Sequence, residues 1–466
     1  MKLHFLGAVR QVTGSRYCLE AAGLRLLIDY GMFQERSFLE RNWEPCPLPP
    51  EQVDFLLLTH SHLDHAGLIP KLVREGFQHP ILATPASAEV AKILLLDSGR
   101  IHEEDARYKK KRHEREGRRG PHPEIPLYTA EEATAVFPLL QETPYNERVH
   151  LNEHVWVRFH DAGHILGSAM IEIGLRENGR ERRVVFSGDI GQWDKPIVRD
   201  PSLFEQADYL VMESTYGDRD HEDHGEVTDR LEAIINDTVE RGGNVVIPTF
   251  AIERAQELMY YLSRLVREDR IPHLLIFLDS PMAVNVTDVF RQHPECMDEE
   301  AQALFQSGQS PFAFPGMQLV RSVDESKAIN RIKGSCIIMA GSGMCTGGRI
   351  KHHLVNNIER PESTIMFVGY QAIGTLGRRI VDGEEEVRIL GETRQVKAKV
   401  VQIHGMSAHA DKEELLRWLS ALKNHPKKIF VVHGEAESAK SFGRYLQEKT
   451  GWDVIVPEFK DEVVLD

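Results

Sequence analysis

The sequence has few cysteines and no closely spaced pair of them. Its 466 residues include five cysteines, an odd number at widely separated positions: Cys18, Cys46, Cys296, Cys336 and Cys345. No C-x-x-C pair occurs. This usage argues against a disulfide framework and against a zinc site built on thiolates, and it indicates a protein of a reducing cytoplasm.

A long apolar run is also missing. The first residues, Met1–Gly7, begin with a charge, and Arg10 and Gln11 soon interrupt the apolar stretch. No segment approaches the roughly 18 apolar residues that a membrane-spanning helix needs. We therefore expect neither a signal peptide nor a membrane span, and we predict a cytoplasmic location.

The chain lacks a positive net charge, since its formal net charge is −15. A polyanionic partner would therefore have to meet a local basic patch rather than the whole surface. One such patch ends a predicted helix over residues 86–118 and contains Arg107, Lys109, Lys110, Lys111, Arg112, Arg115, Arg118 and Arg119. It is either a solvated helix face or a site that holds phosphates.

The length of the chain exceeds what one ordinary core accommodates, which predicts two domains. Apolar strands that end in acids or histidines occur in residues 1–217 and again in residues 396–466. Residues 218–395 instead alternate buried strands with helices, which predicts a parallel sheet with crossover helices. We expect the first and last segments to form one domain, with the middle segment inserted into it.

The densest cluster of reactive side chains lies in the turn Thr59–His65, between the apolar run Val53–Leu58 and a predicted helix. This turn carries three histidines and an aspartate: His60, His62, His65 and Asp64. The first two histidines can face one metal ion, while the aspartate and the last histidine face a second. Imidazole and carboxylate ligands suit zinc. The alternative is a polar turn with solvated histidines, which this density of ligands disfavours.

Other acids and histidines also follow predicted strands. They are Asp29, His164, Asp189, Glu213, His409 and His433. One acid at a strand end is unremarkable, but several predict a single rim of ligands at one edge of a sheet. Asp29 fits two roles equally well, orienting a ligand histidine or capping a turn. His404 lies on the same rim and is a weaker candidate than His409.

The loop Ala340–Arg349 follows a predicted strand and is rich in glycine and hydroxyl side chains. Its backbone N–H groups and the Arg349 guanidinium would suit a phosphate. A glycine-rich loop is a weak signal by itself.

Together these segments resemble a known family. Asp29, His60-x-His62-x-Asp64-His65, His164 and Asp189 resemble the metal motifs of the metallo-β-lactamase fold. Three further motifs resemble those of the β-CASP nucleases: Glu213 in Glu-Ser-Thr-Tyr-Gly, His409 in Ser-Ala-His-Ala-Asp and His433 in Val-His-Gly-Glu. Residues 248–251, 279–283, 342–349 and 369–378 are also similar to that family. The resemblance covers essentially the whole chain and is strongest to bacterial and archaeal relatives of the endonuclease subunit that cleaves pre-mRNA 3′ ends.

The resemblance implies an α/β fold, a metallo-β-lactamase αββα sandwich with an inserted β-CASP domain that contains a parallel sheet with flanking helices. It also implies two Zn²⁺ ions. The implied ligands are His60, His62 and His164 for the first ion, Asp64, His65 and His433 for the second, and Asp189 as the bridge, with Asp29 orienting a ligand. DNA-processing members typically carry valine at the position of His433, so this residue favours RNA.

The implied activity is zinc-dependent hydrolysis of single-stranded RNA in RNA processing or decay, and we expect internal cuts. His409 is the candidate general acid, oriented by Glu213. Asp64 and Asp189 are further catalytic candidates. Candidate RNA contacts are Ser342, Arg349 and Arg378. No obligatory protein partner is evident, and we expect a monomer or a homodimer.

Several alternatives remain open at this point. A 5′-exoribonuclease would use the same residues. A hydrolase of small thioesters or lactams could use the same metal turn, although a small ligand needs neither the inserted segment nor the His409–Glu213 pair. A di-iron redox protein would place a carboxylate at the position of His62. A catalytically inactive RNA-binding scaffold would lack ligands that are present here.

Overall fold

The computed structural model of the protein describes residues 1–120, 122–177, 179–221 and 227–466. The chain forms two compact units. The first unit contains Met1–Trp193, Asp200–Asp220 and His409–Asp466, and the second contains Asp194–Arg199 and His221–Ala408. The middle of the chain is therefore inserted between parts of the first unit.

The strands and helices of the described residues have the following bounds. The strands are, in chain order, β1 (Lys2–Phe5), β2 (Tyr17–Ala21), β3 (Leu24–Ile28), β4 (Phe55–Leu57), β5 (Ile81–Ala83), β6 (Leu140–Glu142), β7 (Val149–His150), β8 (Val155–Asp161), β9 (Ala169–Glu177), β10 (Arg180–Phe186), β11 (Tyr209–Met212), β12 (Val245–Pro248), β13 (Leu275–Asp279), β14 (Met317–Leu319), β15 (Cys336–Ala340), β16 (Thr364–Val368), β17 (Glu386–Ile389), β18 (Glu392–Gln395), β19 (Lys399–Ile403), β20 (Lys428–Val431), β21 (Val454–Ile455) and β22 (Glu462–Val464). The α-helices are α1 (Leu63–Ala66), α2 (Ile69–Arg74), α3 (Pro85–Glu116), α4 (Ala130–Thr134), α5 (Val227–Glu240), α6 (Arg254–Arg267), α7 (Pro281–Gln292), α8 (Glu299–Gln306), α9 (Val323–Ile329), α10 (Ile350–Asn357), α11 (Leu376–Val381), α12 (Lys412–Leu419) and α13 (Ala436–Thr450).

Two sheets, each of seven strands in the described residues, form the centre of the first unit. The strand order is β22-β1-β2-β3-β4-β5-β6 in the first sheet and β21-β20-β11-β10-β9-β8-β7 in the second. The last strand, β22, pairs antiparallel with β1, so both ends of the chain lie in one sheet. The sequence pattern did not predict β22.

Apolar side chains between the two sheets hold them together. Leu3 and Phe5 of β1 point to the same face because side chains alternate along a strand. They are buried in one cluster with Val157 and Phe159 of β8. Complete burial of one such side chain contributes about 1.5–3 kcal/mol. Leu56 of β4 lies in a different cluster, among helix residues on the opposite face of its sheet.

Helices cover the outer face of each sheet. Ala91 and Leu95 of α3 lie in the cluster that contains Leu56. Trp418 of α12 and Phe442 of α13 are buried together with residues of β10 and β11. The unit therefore has four layers, helix, sheet, sheet and helix, which confirms the expected αββα sandwich.

Helix α3 has a defined signal at each end. Thr84 accepts a hydrogen bond from the Ser87 N–H at 3.2 Å, and Pro85 occupies the first turn. Gly117 follows the last turn with a φ of 64°, a conformation that glycine adopts without steric cost. The helix predicted over residues 86–118 is confirmed. Among the described helices, none is both long and apolar enough to cross a membrane.

The second unit is built on a parallel sheet, as predicted. Its strand order in the described residues is β14-β13-β15-β12-β16-β19, and all five pairings are parallel. Ile350 and Leu354 of α10 and Ile380 of α11 are buried in one cluster with Phe367 of β16, so these helices pack against the sheet. Strands β17 and β18 form a separate antiparallel hairpin, which the sequence pattern did not predict.

Strand β19 belongs to the second unit. It pairs in parallel with β16, from Thr364 opposite Lys399 to Val368 opposite Ile403. The sequence predicts that the chain returns to the first unit at residue 396. The reason is that His404 directly follows this strand, just as His433 follows an apolar strand of the first unit. That pattern marks the end of a strand but not the sheet that the strand joins. The second unit runs on to Ala408.

A buried ion cluster joins two segments of the second unit. Lys195 Nζ donates to Glu257 Oε1 at 2.7 Å, and Arg254 pairs with the same carboxylate. Glu257 is buried, and burial opposes its charge, but the two cations hold its pKa below the usual value. The carboxylate is therefore ionised and neutralises two buried cations.

We expect Glu257→Gln to lower the free energy of unfolding by about 3–5 kcal/mol, because both cations lose their counter-charge. A carboxylate with a lowered folded-state pKa contributes stability above its unfolded pKa, near 4.5, and loses it as the pH falls through the folded value. Urea unfolding at neutral and at acid pH measures both effects. Glu268→Gln, which removes the exposed pairs with Arg264 and Arg270, is the control and should cost less than about 1 kcal/mol. An equal cost for the two variants would contradict this prediction.

Candidate metal centre and active site

The turn Thr59–His65 lies at the carboxyl edge of the first sheet, after strand β4. Strand β3 pairs in parallel with β4 and leads directly into Asp29, so the ends of the two strands lie side by side. The Asp29 carboxylate accepts hydrogen bonds from the Thr59 N–H and from Thr59 Oγ1, both at 2.8 Å. These bonds fix the start of the turn that carries the predicted ligands.

Four predicted ligands form a first cluster. They are His60, His62, His164 and Asp189, and their ligand atoms all lie within 4.8 Å of one another. His62 Nδ1 lies 3.2 Å from His60 Nε2 and 3.2 Å from His164 Nε2. Nitrogens bound to one tetrahedral zinc at about 2.0–2.1 Å would lie about 3.3–3.4 Å apart. The observed spacing therefore suits ligands of a common ion.

A second cluster contains Asp64, His65 and His433. His65 Nε2 lies 3.1 Å from His433 Nε2, and that nitrogen lies 3.5 Å from Asp64 Oδ2. His433 follows strand β20, and its N–H donates to the Ala8 carbonyl at 2.7 Å. The fold thus brings a residue near the end of the chain to the ligand turn.

Asp189 lies between the two clusters. Its Oδ2 is 3.5 Å from His60 Nε2 and 3.6 Å from His164 Nε2. Its Oδ1 is 3.3 Å from His65 Nε2 and 3.5 Å from His433 Nδ1. Within the described residues Oδ1 is buried and has no hydrogen-bond partner, which is costly unless an ion satisfies it. The donor set therefore fits two metal ions that share one carboxylate.

The ionisation state of the first cluster also suits a metal. Burial, with the nearby His65, lowers the pKa of His60 well below its usual value, and burial lowers the pKa of His62 to about 4. Burial opposes the charge of Asp189, but His433 and His65 hold its pKa well below the usual value. Neutral imidazoles and an ionised carboxylate are the forms that bind zinc.

Asp29 fixes the orientation of His65. Its Oδ2 lies 2.7 Å from His65 Nδ1, so His65 Nε2 faces His433 and Asp189. Burial acts against a proton on His65, but Asp189 and Asp29 raise its pKa well above the usual value. The same carboxylates would favour a dication in place of that proton. The contacts of Asp29 therefore fit both roles that the sequence left open, since it also binds Thr59.

Two threonines that the sequence did not single out support these ligands. Thr59 Oγ1 lies 3.1 Å from His60 Nδ1 and 3.3 Å from His65 Nδ1. Thr215 Oγ1 lies 3.2 Å from Nδ1 of His433. Thr59 directly precedes His60, and Thr215 lies in the Glu-Ser-Thr-Tyr-Gly motif. The only sign of their role in the sequence was that each lies next to a motif residue.

His409 lies beside the ligand clusters. Its Nδ1 is 3.1 Å and 3.2 Å from the two carboxylate oxygens of Glu213, and it is 3.9 Å from Asp189 Oδ2. The ring centre is 4.5 Å from that of His164. The side chain of His409 is 20% exposed, whereas that of His164 is 1% exposed. Solvent and a substrate can therefore reach His409 more readily than this ligand.

Glu213 holds His409 in a defined orientation. It is fully buried and accepts hydrogen bonds from the N–H groups of Ile190 at 2.6 Å and Thr215 at 3.3 Å. Burial acts against a charged His409, but Glu213 and Asp189 raise its pKa to about 9. Bound dications would act in the opposite direction. When Nδ1–H donates to Glu213, a protonated His409 carries its other proton at Nε2, as a general acid requires.

Arg349, a predicted RNA contact, lies in the second unit and has protein partners there. Its guanidinium donates to Asp279 Oδ1 at 2.6 Å and to the Arg321 carbonyl at 2.7 Å. Asp279 is completely buried and also lies 2.6 Å from His353 Nε2. These contacts give Arg349 a structural role, and its contact with RNA stays a prediction.

The other two predicted RNA contacts are also in the second unit. Ser342 Oγ accepts a hydrogen bond from the Gly347 N–H at 3.2 Å, which closes the glycine-rich loop. Arg378 is partly exposed and pairs with Asp382 one helical turn later. Surface pairs of this kind are worth little and break easily, so Arg378 stays available to an anionic partner.

Three segments of the chain match known domain families. Residues 18–205 match the metallo-beta-lactamase superfamily domain, and residues 255–380 match the Beta-Casp domain. Residues 393–457 match the Zn-dependent metallo-hydrolase RNA specificity domain. The matched families agree with the fold class predicted from the sequence and with the His/Asp clusters described above.

Relatives match over nearly the whole chain. Ribonuclease TTHA0252 of Thermus thermophilus is 38% identical over 99% of this chain and 100% of that protein. Transcription termination factor FttA of Methanosarcina mazei is 30% identical over 95% of this chain and 68% of that protein. A crystal structure of a protein of unknown function from Enterococcus faecalis, at 12% identity, covers 100% of this chain and 99% of that one with a TM-score of 0.55, which supports the fold alone. The chain therefore belongs to the β-CASP family of metallo-β-lactamase-fold ribonucleases, which are metal-dependent hydrolases.

Proposed function

We propose that this protein is a two-zinc endoribonuclease that hydrolyses phosphodiester bonds of single-stranded RNA. The observation that carries this proposal is the pair of ligand clusters that share Asp189, with His409 beside them. The residues that would hold the ions are His60, His62 and His164 for the first, Asp64, His65 and His433 for the second, and Asp189 for both.

Zinc ions bound in the two clusters would supply an ionised water at neutral pH and positive charge to stabilise the phosphate. Asp64 and Asp189 remain ionised beside the reacting phosphate. Burial opposes the charge of Asp64, but His433 and His65 lower its pKa. Its carboxylate is 18% exposed, and in its ionised form it can accept a hydrogen bond from the attacking water.

The leaving oxygen of the RNA needs a proton, and His409 is placed to donate it. Glu213 binds Nδ1 of His409 and favours its protonated form, so Nε2–H is the donor. After the transfer, the neutral imidazole keeps its hydrogen bond to Glu213 and can take a proton from solvent. Glu213 acts by positioning His409 and need not contact the RNA.

RNA is the preferred substrate in this proposal for three reasons. The resemblance implies RNA because DNA-processing members typically carry valine at the position of His433. A relative that matches over its full length is named a ribonuclease. A flexible single strand can bring its phosphate to buried ligands more easily than a stiff duplex can.

Circular single-stranded RNA tests the proposal because a circle can be opened only by an internal cut. We expect zinc-loaded protein to linearise the circle and to leave circular single-stranded DNA largely intact. Cleavage of end-labelled linear RNA without cleavage of the circle would show a 5′-exoribonuclease instead. Hydrolysis of nitrocefin or a thioester without RNA cleavage would contradict the proposal.

We further propose a cytoplasmic location and a monomer or homodimer with no obligatory protein partner. All five cysteines lie in the described residues and none of them forms a disulfide, which supports a reducing compartment.

A further inference from the structure

Helix α3 leaves the core before it ends. Its buried residues begin at Ala86, and Ala106 is the last of them. Every residue from Arg107 to Arg119 is exposed except His113, which is half-buried and lies 2.8 Å from the Glu124 carboxylate. Residues 107–119, which we call the basic helix end, therefore form an exposed surface with an anchoring contact.

The basic helix end concentrates positive charge in an acidic protein. It contains eight basic and two acidic residues, a net charge of +6, whereas the chain has a net charge of −15. Salt bridges join Arg107 to Glu103 and both Arg112 and Arg118 to Glu116. The described residues provide no ion pair for the remaining basic side chains, which are Lys109, Lys110, Lys111, Arg115 and Arg119.

Part of this positive charge lies in a stripe along one face of the helix. Arg107, Lys111 and Arg115 follow one another at four-residue intervals, and like charges at this spacing repel one another along a helix face. The helix dipole favours cations within the last turn, which accounts for Arg115. It does not account for Lys111, whereas Arg107 is paired with Glu103. A bound polyanion would offset the repulsion along the whole stripe.

The geometry favours a nucleic-acid strand over other polyanions. A four-residue interval advances about 6 Å along a helix, which is comparable with the spacing of successive phosphates in a strand. Tyr108 flanks the stripe and is 67% exposed, so its ring is available for stacking on a base. We propose that the basic helix end binds the RNA backbone at a distance from the cut. This inference rests on the proposed function.

The same helix connects this surface to the active site. At its start, Thr84 Oγ1 and Ser87 Oγ donate to the Gly167 carbonyl at 2.6 Å and 2.8 Å. Gly167 is close in sequence to the ligand His164. From Pro85 to residue 107 the helix advances about 33 Å, a distance that an extended strand with about 6 Å between phosphates spans in roughly five to six nucleotides. Only RNA longer than this can occupy the active site and the basic helix end together.

The test is the triple variant Arg107→Gln, Lys111→Gln and Arg115→Gln, in which glutamine preserves helix propensity. For a 30-nucleotide RNA we expect KM to rise roughly 10–100-fold with kcat unchanged, and the slope of log KM against log salt to fall by about 2. For a 5-nucleotide RNA we expect no change in KM. Circular dichroism checks that the helix content is preserved.

The matched control is the triple variant Lys423→Gln, Arg444→Gln and Lys449→Gln, which removes three other exposed basic side chains of the same unit. It should retain the parental KM for both RNA lengths. If the test variant kept the parental KM and salt slope, the RNA-binding role of the basic helix end would be overturned, but the proposed function would stand. The basic helix end would then be a candidate surface for an acidic protein. An equal loss with the short RNA would also overturn it. Failure of the parent to cut or bind RNA would overturn the proposed function as well.

Discussion

His409→Ala should slow RNA cleavage about 10²–10⁴-fold while the protein keeps its full zinc content. The substitution removes the proton donor for the leaving oxygen, yet His409 belongs to neither ligand cluster. Single-turnover cleavage and zinc analysis of the same sample measure the two quantities. Glu213→Gln should cause a smaller loss of rate, because His409 remains but loses its charged partner.

His404→Ala is the matched control for this prediction. His404 follows strand β19 and was the weaker candidate of the two histidines in the sequence. It is exposed and belongs to the second unit. We expect this variant to cleave RNA at the parental rate. Parental activity of the His409→Ala variant with full zinc would remove the proton-donor role. Loss of zinc from that variant would show that His409 supports the metal centre instead.

Asp189→Ala should lose zinc from both clusters together with all measurable RNA cleavage. Each oxygen of this carboxylate faces a different set of histidines, and this shared position makes both ions depend on it. His62→Ala should instead deplete the first cluster and leave zinc in the second, also without activity. Zinc per chain in the purified variants distinguishes the two patterns.

The fold of these variants must be checked separately, and circular dichroism in the presence of zinc does this. Asp29→Asn offers a graded comparison, because it perturbs the orientation of His65 without removing a ligand. We expect it to weaken zinc binding about 10–100-fold. An Asp189→Ala protein that held two ions and cut RNA normally would contradict the bridging assignment.

The side chains that cluster at the candidate metal centre could be predicted from the sequence because they follow a simple physical pattern. Asp29, Asp189 and His433 each follow an apolar strand, as predicted. The predicted single rim at one sheet edge is wrong, because Asp29 follows β3 of the first sheet whereas Asp189 and His433 follow β10 and β20 of the second. Local sequence shows where a strand ends but not which of two packed sheets the strand joins. The turn Thr59–His65 supplies most of the remaining ligands at short range. Local sequence therefore held most of the information that the structure later brought together.

Partners that are distant in sequence could not be predicted in the same way. Strand β22 pairs with β1 across the whole length of the chain, and no local pattern identifies that pairing. Arg349 follows a glycine-rich loop as a phosphate-binding residue would, but the buried carboxylate of Asp279 binds its guanidinium. Strand β19 likewise joins the parallel sheet of the second unit, although His404 after it suggested a strand of the first unit.

The zinc content of the purified, folded protein is the most direct test of the shared-carboxylate centre. Mass spectrometry of the metal, set against protein concentration, gives the number of ions per chain. We predict two zinc ions per chain, and we predict that removal of zinc with a chelator abolishes RNA cleavage until zinc is restored. A fully active protein that held a single ion would contradict the two-ion centre.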